Sequence, residues 1–90
     1  MQITDVKIRK IFNDENPLKA IASVVFEGCF AVHDIKVVNI KEKHLVVMPA
    51  TKLADGTHRD IVHPTNAEFR AKLTEAVLEA YEIQKALESV

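Results

Sequence analysis

Four histidines, one cysteine and thirteen carboxylates are the side chains of this sequence with metal-binding chemistry. Zinc sites usually show two cysteines separated by two residues, or two histidines on one face of a helix. Here His58 and His63 lie on either side of a predicted short strand, and Cys29 lies four residues before His33. This spacing predicts no metal site and no cofactor.

Acid–base and nucleophilic catalysis require side chains that face one another. His33 and Asp34 are neighbours in a predicted strand, so they should point to opposite faces and cannot form a dyad. A polar pair in an apolar strand needs partners, and we expect one of the two to anchor a loop through Arg59 or the backbone near His63. Cys29 has no readable activating base. The sequence therefore predicts no catalytic residue and no enzyme.

Residues 50–66 form the region most typical of a functional site, because the segment is long for a compact domain. Its charged and imidazole side chains are Lys52, His58, Arg59, Asp60 and His63. The free amides at the helix start that follows, with Arg70 and Lys72 nearby, would suit a phosphate group. The alternative is a rigid structural loop in which Arg59 and Asp60 are paired or exposed.

Apolar alternation and apolar runs bounded by turn formers predict four consecutive strands. They are residues 3–12, 18–26, 30–38 and 44–48. Turn formers at residues 13–17 and 27–29 separate the first three strands, and such short connections favour antiparallel neighbours. Ile61 and Val62 could add a short fifth strand.

The last part of the chain predicts one helix, whose start matches a capping box formed by Thr65 and Glu68. Its apolar stripe is Phe69, Leu73, Ala76, Ala80, Ile83 and Leu87, and its solvated face carries Glu68, Glu75, Glu79 and Glu82. The whole pattern predicts a single α+β domain over residues 1–90. It consists of a mainly antiparallel β-sheet of four to five strands followed by a C-terminal amphipathic α-helix.

One helix can cover only one face of such a sheet. The second and third strands are apolar on both faces, so the other face needs a cover, and self-association through a sheet edge or face would supply it. Leu78, which points away from the helical stripe, could contribute. The sequence therefore predicts a homodimer.

The composition excludes several classes of protein. A hydrophobic content of 48% with 2 Gly and 3 Pro excludes disordered and low-complexity chains. No apolar run approaches the roughly 18 residues that cross a bilayer, and residues 1–10 alternate where a signal peptide would be apolar. A lone cysteine fits a reducing compartment. We expect a cytoplasmic protein without membrane insertion.

The net charge of -1 argues against a strongly basic nucleic-acid binder of the histone type. The charge is unevenly distributed, however. Residues 1–72 contain 11 of the 12 Lys and Arg and 9 of the 13 Asp and Glu, a net +2, whereas residues 73–90 carry a net -3. The body of the domain is therefore basic and the final helix acidic.

Several stretches, in order along the chain, carry a family resemblance. They are residues 3–9 (ITDVKIR), 20–23 (AIAS) and 32–37 (VHDIKV), then Met48 and Pro49, then Asp55, Gly56, Arg59, Asp60, Ile61, His63, Pro64 and Asn66. This ordered series resembles the SpoVG family, the stage V sporulation protein G septation regulators of bacteria.

The resemblance implies a dimeric protein that binds DNA or RNA, regulates gene expression and is linked to septation and sporulation, without enzyme activity. It assigns nucleic-acid contact to Lys52, Arg59, Arg70 and Lys72. Family members commonly show a Ser, two basic residues, Thr and Pro before the Asp and Gly. Residues 50–54 are ATKLA here, so one basic residue is missing at Thr51.

A second class of function remains open. The chain could be a protein-interaction module whose sheet edge or acidic helix face engages a division or regulatory protein without nucleic acid. The weak net charge favours this alternative.

Overall fold

A computed structural model of the chain describes residues 1–12 and 15–88. Its strands are β1 (Ile3–Ile11), β2 (Leu18–Phe26), β3 (Phe30–Ile40), β4 (Lys43–Val47), β5 (Ala50–Lys52) and β6 (His58–Asp60), and its helix is α1 (Ala67–Glu88). Strands β1 to β4 form an antiparallel sheet in chain order, and β5 pairs with β6 in a second, two-stranded sheet. The predicted α+β fold, with an antiparallel sheet followed by one C-terminal helix, is confirmed.

Bulges keep the apolar side chains of β1 on one face of the sheet. Ile3, Val6, Ile8 and Ile11 all pack against the core although their spacing is three, two and three residues. The pairing with β2 shifts between Ile3 and Asp5 and again between Ile8 and Lys10. The extra residue at each bulge keeps the following apolar side chains on the core-facing side of the sheet. Strict alternation would have turned them to the other side.

Tight turns join the sheet strands. Ile40 pairs with Lys43 across the two-residue turn Lys41–Glu42, and both turn residues have positive φ, 52° and 67°. This is the geometry of a type I′ hairpin, whose twist matches that of the flanking strands. Before β2, Asn16 Oδ1 accepts a hydrogen bond from the Leu18 amide at 3.0 Å. Two residues of the turn predicted over 13–17, Asn13 and Asp14, lie outside the described residues.

The core lies between α1 and one face of the four-stranded sheet. Its sheet side chains come mainly from β2 and β3: Ala20, Ala22, Val24, Phe26, Val32, Ile35 and Val37. The other face carries half-buried Ile21 and Val25 and the exposed Leu45 and Val47, which lie between the inward-facing residues of their strands.

The apolar stripe predicted for the helix is only partly right. Leu73 is buried as predicted, but Val77 and Tyr81 are the other buried helix residues, while Ile83 and Leu87 are 56% and 65% exposed. Each step of four residues turns the contacting side by about 40°, because a helical residue advances roughly 100°. The contact line therefore winds around the helix as it crosses the twisted sheet, and the last two apolar positions leave the core.

The predicted capping box is wrong by one residue. Asn66 is the N-cap: its Oδ1 accepts a hydrogen bond from the Phe69 amide at 2.7 Å, and its carbonyl accepts one from the Arg70 amide at 3.1 Å. The Thr65 and Glu68 side chains form no hydrogen bond within residues 1–12 and 15–88. Asn is a more favourable N-cap residue than Thr, so the Thr65–Glu68 spacing did not by itself determine where the helix begins.

The partners expected for His33 are also corrected. Its Nδ1 lies 2.8 Å from Ser23 Oγ on the adjacent strand, and Arg9 Nε donates to the same oxygen at 3.3 Å. Neither Arg59 nor the backbone near His63 takes part. Asp34 has φ +62° at a bulge in β3, so it leaves the regular alternation that the sequence suggested, and both His33 and Asp34 are exposed.

Candidate nucleic-acid interface

Residues 50–60 form a small ribbon made of β5, β6 and the turn between them. All of its residues are exposed, and β5 and β6 contact no other strand or helix of the described chain. A hydrogen bond of 2.8 Å from the Ile61 amide to the Pro49 carbonyl closes the base of the ribbon. The segment predicted as a long loop is therefore a hairpin that projects from the domain. The short strand expected at Ile61 and Val62 is absent, since β6 ends at Asp60.

The tip of the ribbon is held by its own turn. Gly56 has φ +91° and its amide donates to the Leu53 carbonyl at 3.0 Å, while the Leu53 amide donates to the Thr57 carbonyl at 2.7 Å. Asp55 Oδ1 accepts hydrogen bonds from the Thr57 hydroxyl at 2.7 Å and the Thr57 amide at 3.0 Å. These two bonds, the hydroxyl first, lower the pKa of Asp55 below 3.8 and keep it charged.

Lys52 and Arg59 occupy opposite faces of the ribbon. Lys52 pairs directly with His58, and Thr51 pairs with Arg59. Directly paired residues share a face, and successive residues alternate between faces. Neither cation forms a hydrogen bond or ion pair with another described residue, so Arg59 and Asp60 are exposed rather than paired. Both charges are available to a ligand, but one phosphate group could not lie directly over both.

Arg70 and Lys72 lie on opposite flanks of the line along which the helix contacts the core. Phe69 is half-buried and Leu73 is buried, and each cation is displaced by about 100° to one side of that line. Arg70 Nη2 donates to the Pro64 carbonyl at 3.3 Å, which ties it to the segment before the helix. Lys72 lines a hollow with Met1, Ile3 and Glu27 and has no hydrogen bond or ion pair to the described chain.

The four predicted cations thus form two separate pairs. One pair lies on opposite faces of the ribbon, and the other lies on opposite flanks of the helix. The sequence singled out these cations by type and spacing. The face that each one occupies depends on the β5–β6 register and the helix contact line, which no local sequence pattern shows. Sequence reasoning also passed over a cavity between the β2–β3 turn and the start of α1. Phe30, which lines it, is 59% exposed. An aromatic residue beside a turn is the only sequence signal for it.

The other reactive side chains remain apart. Within the described ranges, no group of three or more His, Cys, Asp or Glu residues is placed to hold a metal ion. Cys29 is exposed in the turn after β2. Ser23 faces His33, but Ser23 is only 4% exposed within a central strand and offers a substrate no approach. No helix of the described chain is long and apolar enough to cross a membrane.

Comparison with known proteins gives a consistent result. The profile of the SpoVG family matches residues 1–83. A protein of Acetivibrio thermocellus is 50% identical over 82 residues, which are 91% of this chain and 86% of that protein. A protein of Desulforudis audaxviator is 48% identical over 88 residues, 98% of this chain and 99% of that protein.

A protein of Listeria monocytogenes serotype 4b is 47% identical over 83 residues, which are 92% of this chain and 80% of that protein. The first two relatives carry the provisional name septation protein SpoVG, and the third the provisional name septation protein SpoVG 1. None of the three names states a catalytic activity.

Proposed function

This chain belongs to the SpoVG family, and we propose that it is a homodimeric DNA- or RNA-binding regulator of gene expression linked to septation and sporulation. The septation link rests on the names of the relatives. The nucleic-acid role rests on the family resemblance of residues 48–66 and on the geometry of the ribbon.

The projecting ribbon is the observation that supports nucleic-acid binding best. It stands clear of every other described strand and helix and presents Lys52 and Arg59 without an intramolecular partner. Unpaired cations on a projecting element cost little desolvation and can meet phosphates without breaking an internal contact. With the two cations on opposite faces, the ribbon would touch successive phosphates of a strand rather than one.

The start of α1 adds a second anchoring point. The first amides of a helix are free donors with a partial positive charge, which attracts phosphate oxygens. Arg70 and Lys72 flank this start, so the two pairs of cations would engage a nucleic acid together. The acidic side of the helix, with Glu75, Glu79 and Glu82 exposed, would turn away from the phosphates.

Dimer formation is proposed because one sheet face has no cover among residues 1–12 and 15–88. Leu45 and Val47 of β4 are 44% and 37% exposed on this face, and Ile21 and Val25 are half-buried on the same face of β2. A second copy placed against this face or its edge would remove apolar surface from water.

A protein-interaction module is the alternative function, and the exposed end of α1 favours it. Ile83 and Leu87 leave the core next to the acidic helix face. An apolar pair beside glutamates is a surface that a basic groove of a division or regulatory protein could accept.

Fluorescence anisotropy with labelled DNA and RNA at low salt distinguishes these functions. The double variant Lys52→Ala, Arg59→Ala should bind either polymer at least tenfold more weakly than the wild type, given about 1 kcal/mol for each lost phosphate contact. The matched control is Lys41→Ala, Lys43→Ala, which removes the same charge from two exposed residues, one in the turn after β3 and one at the start of β4. Its affinity should be much less affected. Equal losses in both double variants would indicate non-specific attraction, and no binding by the wild type would favour the interaction module.

A further inference from the structure

We infer that the cavity beside the start of α1 receives an unstacked base of a single-stranded nucleic acid, whose adjoining phosphate is held by Arg70 or Lys72. The inference rests on the proposed nucleic-acid function and deepens it by naming the form of polymer that is bound. The cavity joins an aromatic lining, free polar groups at the rim and cations on both sides.

The cavity has a volume of about 300 Å³ and lies between the turn after β2 and the first turn of α1. Phe26 and Phe69 pack together at its wall, with ring centroids 5.9 Å apart and planes inclined by 44°. Phe30 pairs directly with Phe26 across the hairpin, so the two rings lie on the same face of the sheet. Three aromatic rings therefore border one opening.

Part of the apolar lining is open to water. Phe30 is 59% exposed and Met1 is 74% exposed, and both line the cavity. An exposed ring keeps a flat face free, which is the surface on which nucleobases stack. A base entering here would cover apolar area that the chain itself leaves uncovered.

Free polar groups lie at the rim where the edge of a base would reach. The Thr65 hydroxyl forms no hydrogen bond to the described chain. The side-chain oxygen of Asn66 caps the helix, which leaves the side-chain NH₂ group free as a donor. His63 Nδ1 lies 3.0 Å from the Pro64 carbonyl and donates to it, so Nε2 remains as an acceptor in the neutral ring. The rim offers donors and an acceptor.

Cations border the cavity on both sides. Arg70 donates to the Pro64 carbonyl, and Pro64 is part of the lining. On the other side, Lys72 lines a second hollow that shares Met1 and Phe69 with the cavity. Glu27 also lines that hollow, and its carboxylate, which accepts a hydrogen bond of 2.7 Å from the Gln2 backbone amide, would oppose a phosphate on that side. A phosphate on either side of the bound base would meet a positive charge.

A nucleotide fits this combination better than other ligands do. A purely apolar ligand would fill the lining and leave both cations unpaired. A paired duplex would present phosphates but would keep its bases stacked, and extracting one costs a few kcal/mol. A single strand offers bases already free to stack, so we expect a preference for single strands.

The test uses anisotropy at one salt concentration with three labelled oligonucleotides of equal length. They are a base-bearing single strand, an abasic single strand with the same number of phosphates, and a duplex. Wild-type protein should bind the base-bearing strand about fivefold or more tightly than the abasic strand, the effect of one base–aromatic stack. Phe30→Ala should remove that difference and leave abasic binding unchanged. Because Phe30 is mostly exposed, the variant should fold, which circular dichroism checks.

Two control variants separate the contribution of base stacking from that of phosphate contact. Ile83→Ala removes an exposed apolar side chain near the other end of the helix and should leave the affinities of all three oligonucleotides unchanged. Lys72→Ala should weaken the base-bearing and abasic strands by the same factor, because it removes a phosphate contact.

Three results would overturn the inference while the proposed function stands: equal wild-type affinity for base-bearing and abasic strands, equal weakening of both by Phe30→Ala, or loss of a dimer in Phe30→Ala by light scattering. The last would mean that a second copy fills the cavity. Binding of the abasic strand by the wild-type protein identifies these cases. If neither single strand nor the duplex binds, the proposed function itself fails.

Discussion

Among single residues, Thr51 has the most direct bearing on affinity for phosphates. It pairs with Arg59 on one face of the ribbon, at the place where the family resemblance leads us to expect a basic residue. Two cations on one face of a projecting strand pair would contact phosphates together. Because this face carries only one cation, we predict that the chain binds nucleic acid more weakly than it would with a basic residue at position 51 as well.

The variant Thr51→Lys should therefore bind DNA and RNA more tightly than the wild type. One added phosphate contact should steepen the dependence of log affinity on log salt by about 0.9 for duplex DNA and about 0.7 for single strands. The measurement is anisotropy over a salt series. The control Ala86→Lys adds the same charge at an exposed position late in the helix and should leave the slope unchanged. An unchanged slope in Thr51→Lys would mean that this face does not meet phosphates.

A second residue, Ser23, should matter for stability rather than binding. It is 4% exposed, and its hydroxyl joins Arg9 on β1 to His33 on β3. Ser23→Ala removes this junction and should lower the free energy of unfolding by about 1 to 2 kcal/mol. Urea denaturation measures the loss. Thr65→Ala, which removes an exposed hydroxyl without a hydrogen bond in the described chain, should cost much less; equal costs would show that the junction contributes nothing.

The sequence was informative about which residues matter and uninformative about their partners. Lys52 and Arg59 stand out by type and spacing, but their opposite faces depend on which residue pairs with which across the ribbon. One of His33 and Asp34 was expected to anchor a loop, and the bulge in β3 that determines their actual surroundings could not be read from the sequence. The true partner of His33, Ser23, lies across a register shift between β2 and β3.

The ribbon is the element with the clearest pH dependence. The pKa of Asp55 is lowered below 3.8 because its carboxylate accepts hydrogen bonds from the Thr57 hydroxyl and amide. A lowered pKa means that the contribution of these bonds is fully present above pH 3.8 and is lost as pH falls through the lower value. The turn should therefore stay ordered at neutral pH and loosen as pH falls through the lowered pKa of Asp55.

Chemical shifts of the Asp55 carboxyl and the Thr57 amide, followed by NMR over an acid titration, test this expectation. Both should report one midpoint below 3.8. Asp55→Asn should abolish the Thr57 titration. A midpoint at or above 3.8 in the wild type would show that the carboxylate is not held by these bonds.

The four sheet strands and the helix could be predicted because each carries a periodic apolar pattern set by its buried side. The ribbon could not, since all of residues 50–60 are exposed and no burial imposes a period. Only the Asp55 and Gly56 turn was visible. The helix contact line was missed beyond Leu73 because it follows the twist of the sheet, which belongs to the tertiary structure.

For the whole molecule, our prediction of a dimer rests on the sheet face that the helix does not cover. The chain should elute as a dimer, and light scattering coupled to size exclusion should give twice the chain mass at micromolar concentration. Leu45→Lys places a charge on the uncovered face and should shift the population towards monomer if that face is the interface. A monomeric wild type would contradict the dimer, and a dimeric Leu45→Lys would move the contact to a sheet edge.

At this scale the sequence predicted the separation of charge, with a basic body and an acidic final helix, because composition alone carries it. The cavity at the helix start was beyond reach, since it joins Phe30 and Phe69 across 39 residues of sequence. The four cations are distributed over both faces of the ribbon and both flanks of the helix start, an arrangement that depends on the tertiary structure.

The most direct test of nucleic-acid binding through the ribbon is the salt dependence of affinity. Anisotropy titrations of wild type and the Lys52→Ala, Arg59→Ala variant over a salt series give the two slopes. We predict a steep decrease of affinity with salt for the wild type and a slope smaller by about 1.8 on duplex DNA, or about 1.4 on single strands, for the variant. Identical slopes would contradict phosphate contact through the ribbon. Absence of wild-type binding even at the lowest salt would contradict the nucleic-acid function and favour the protein-interaction module.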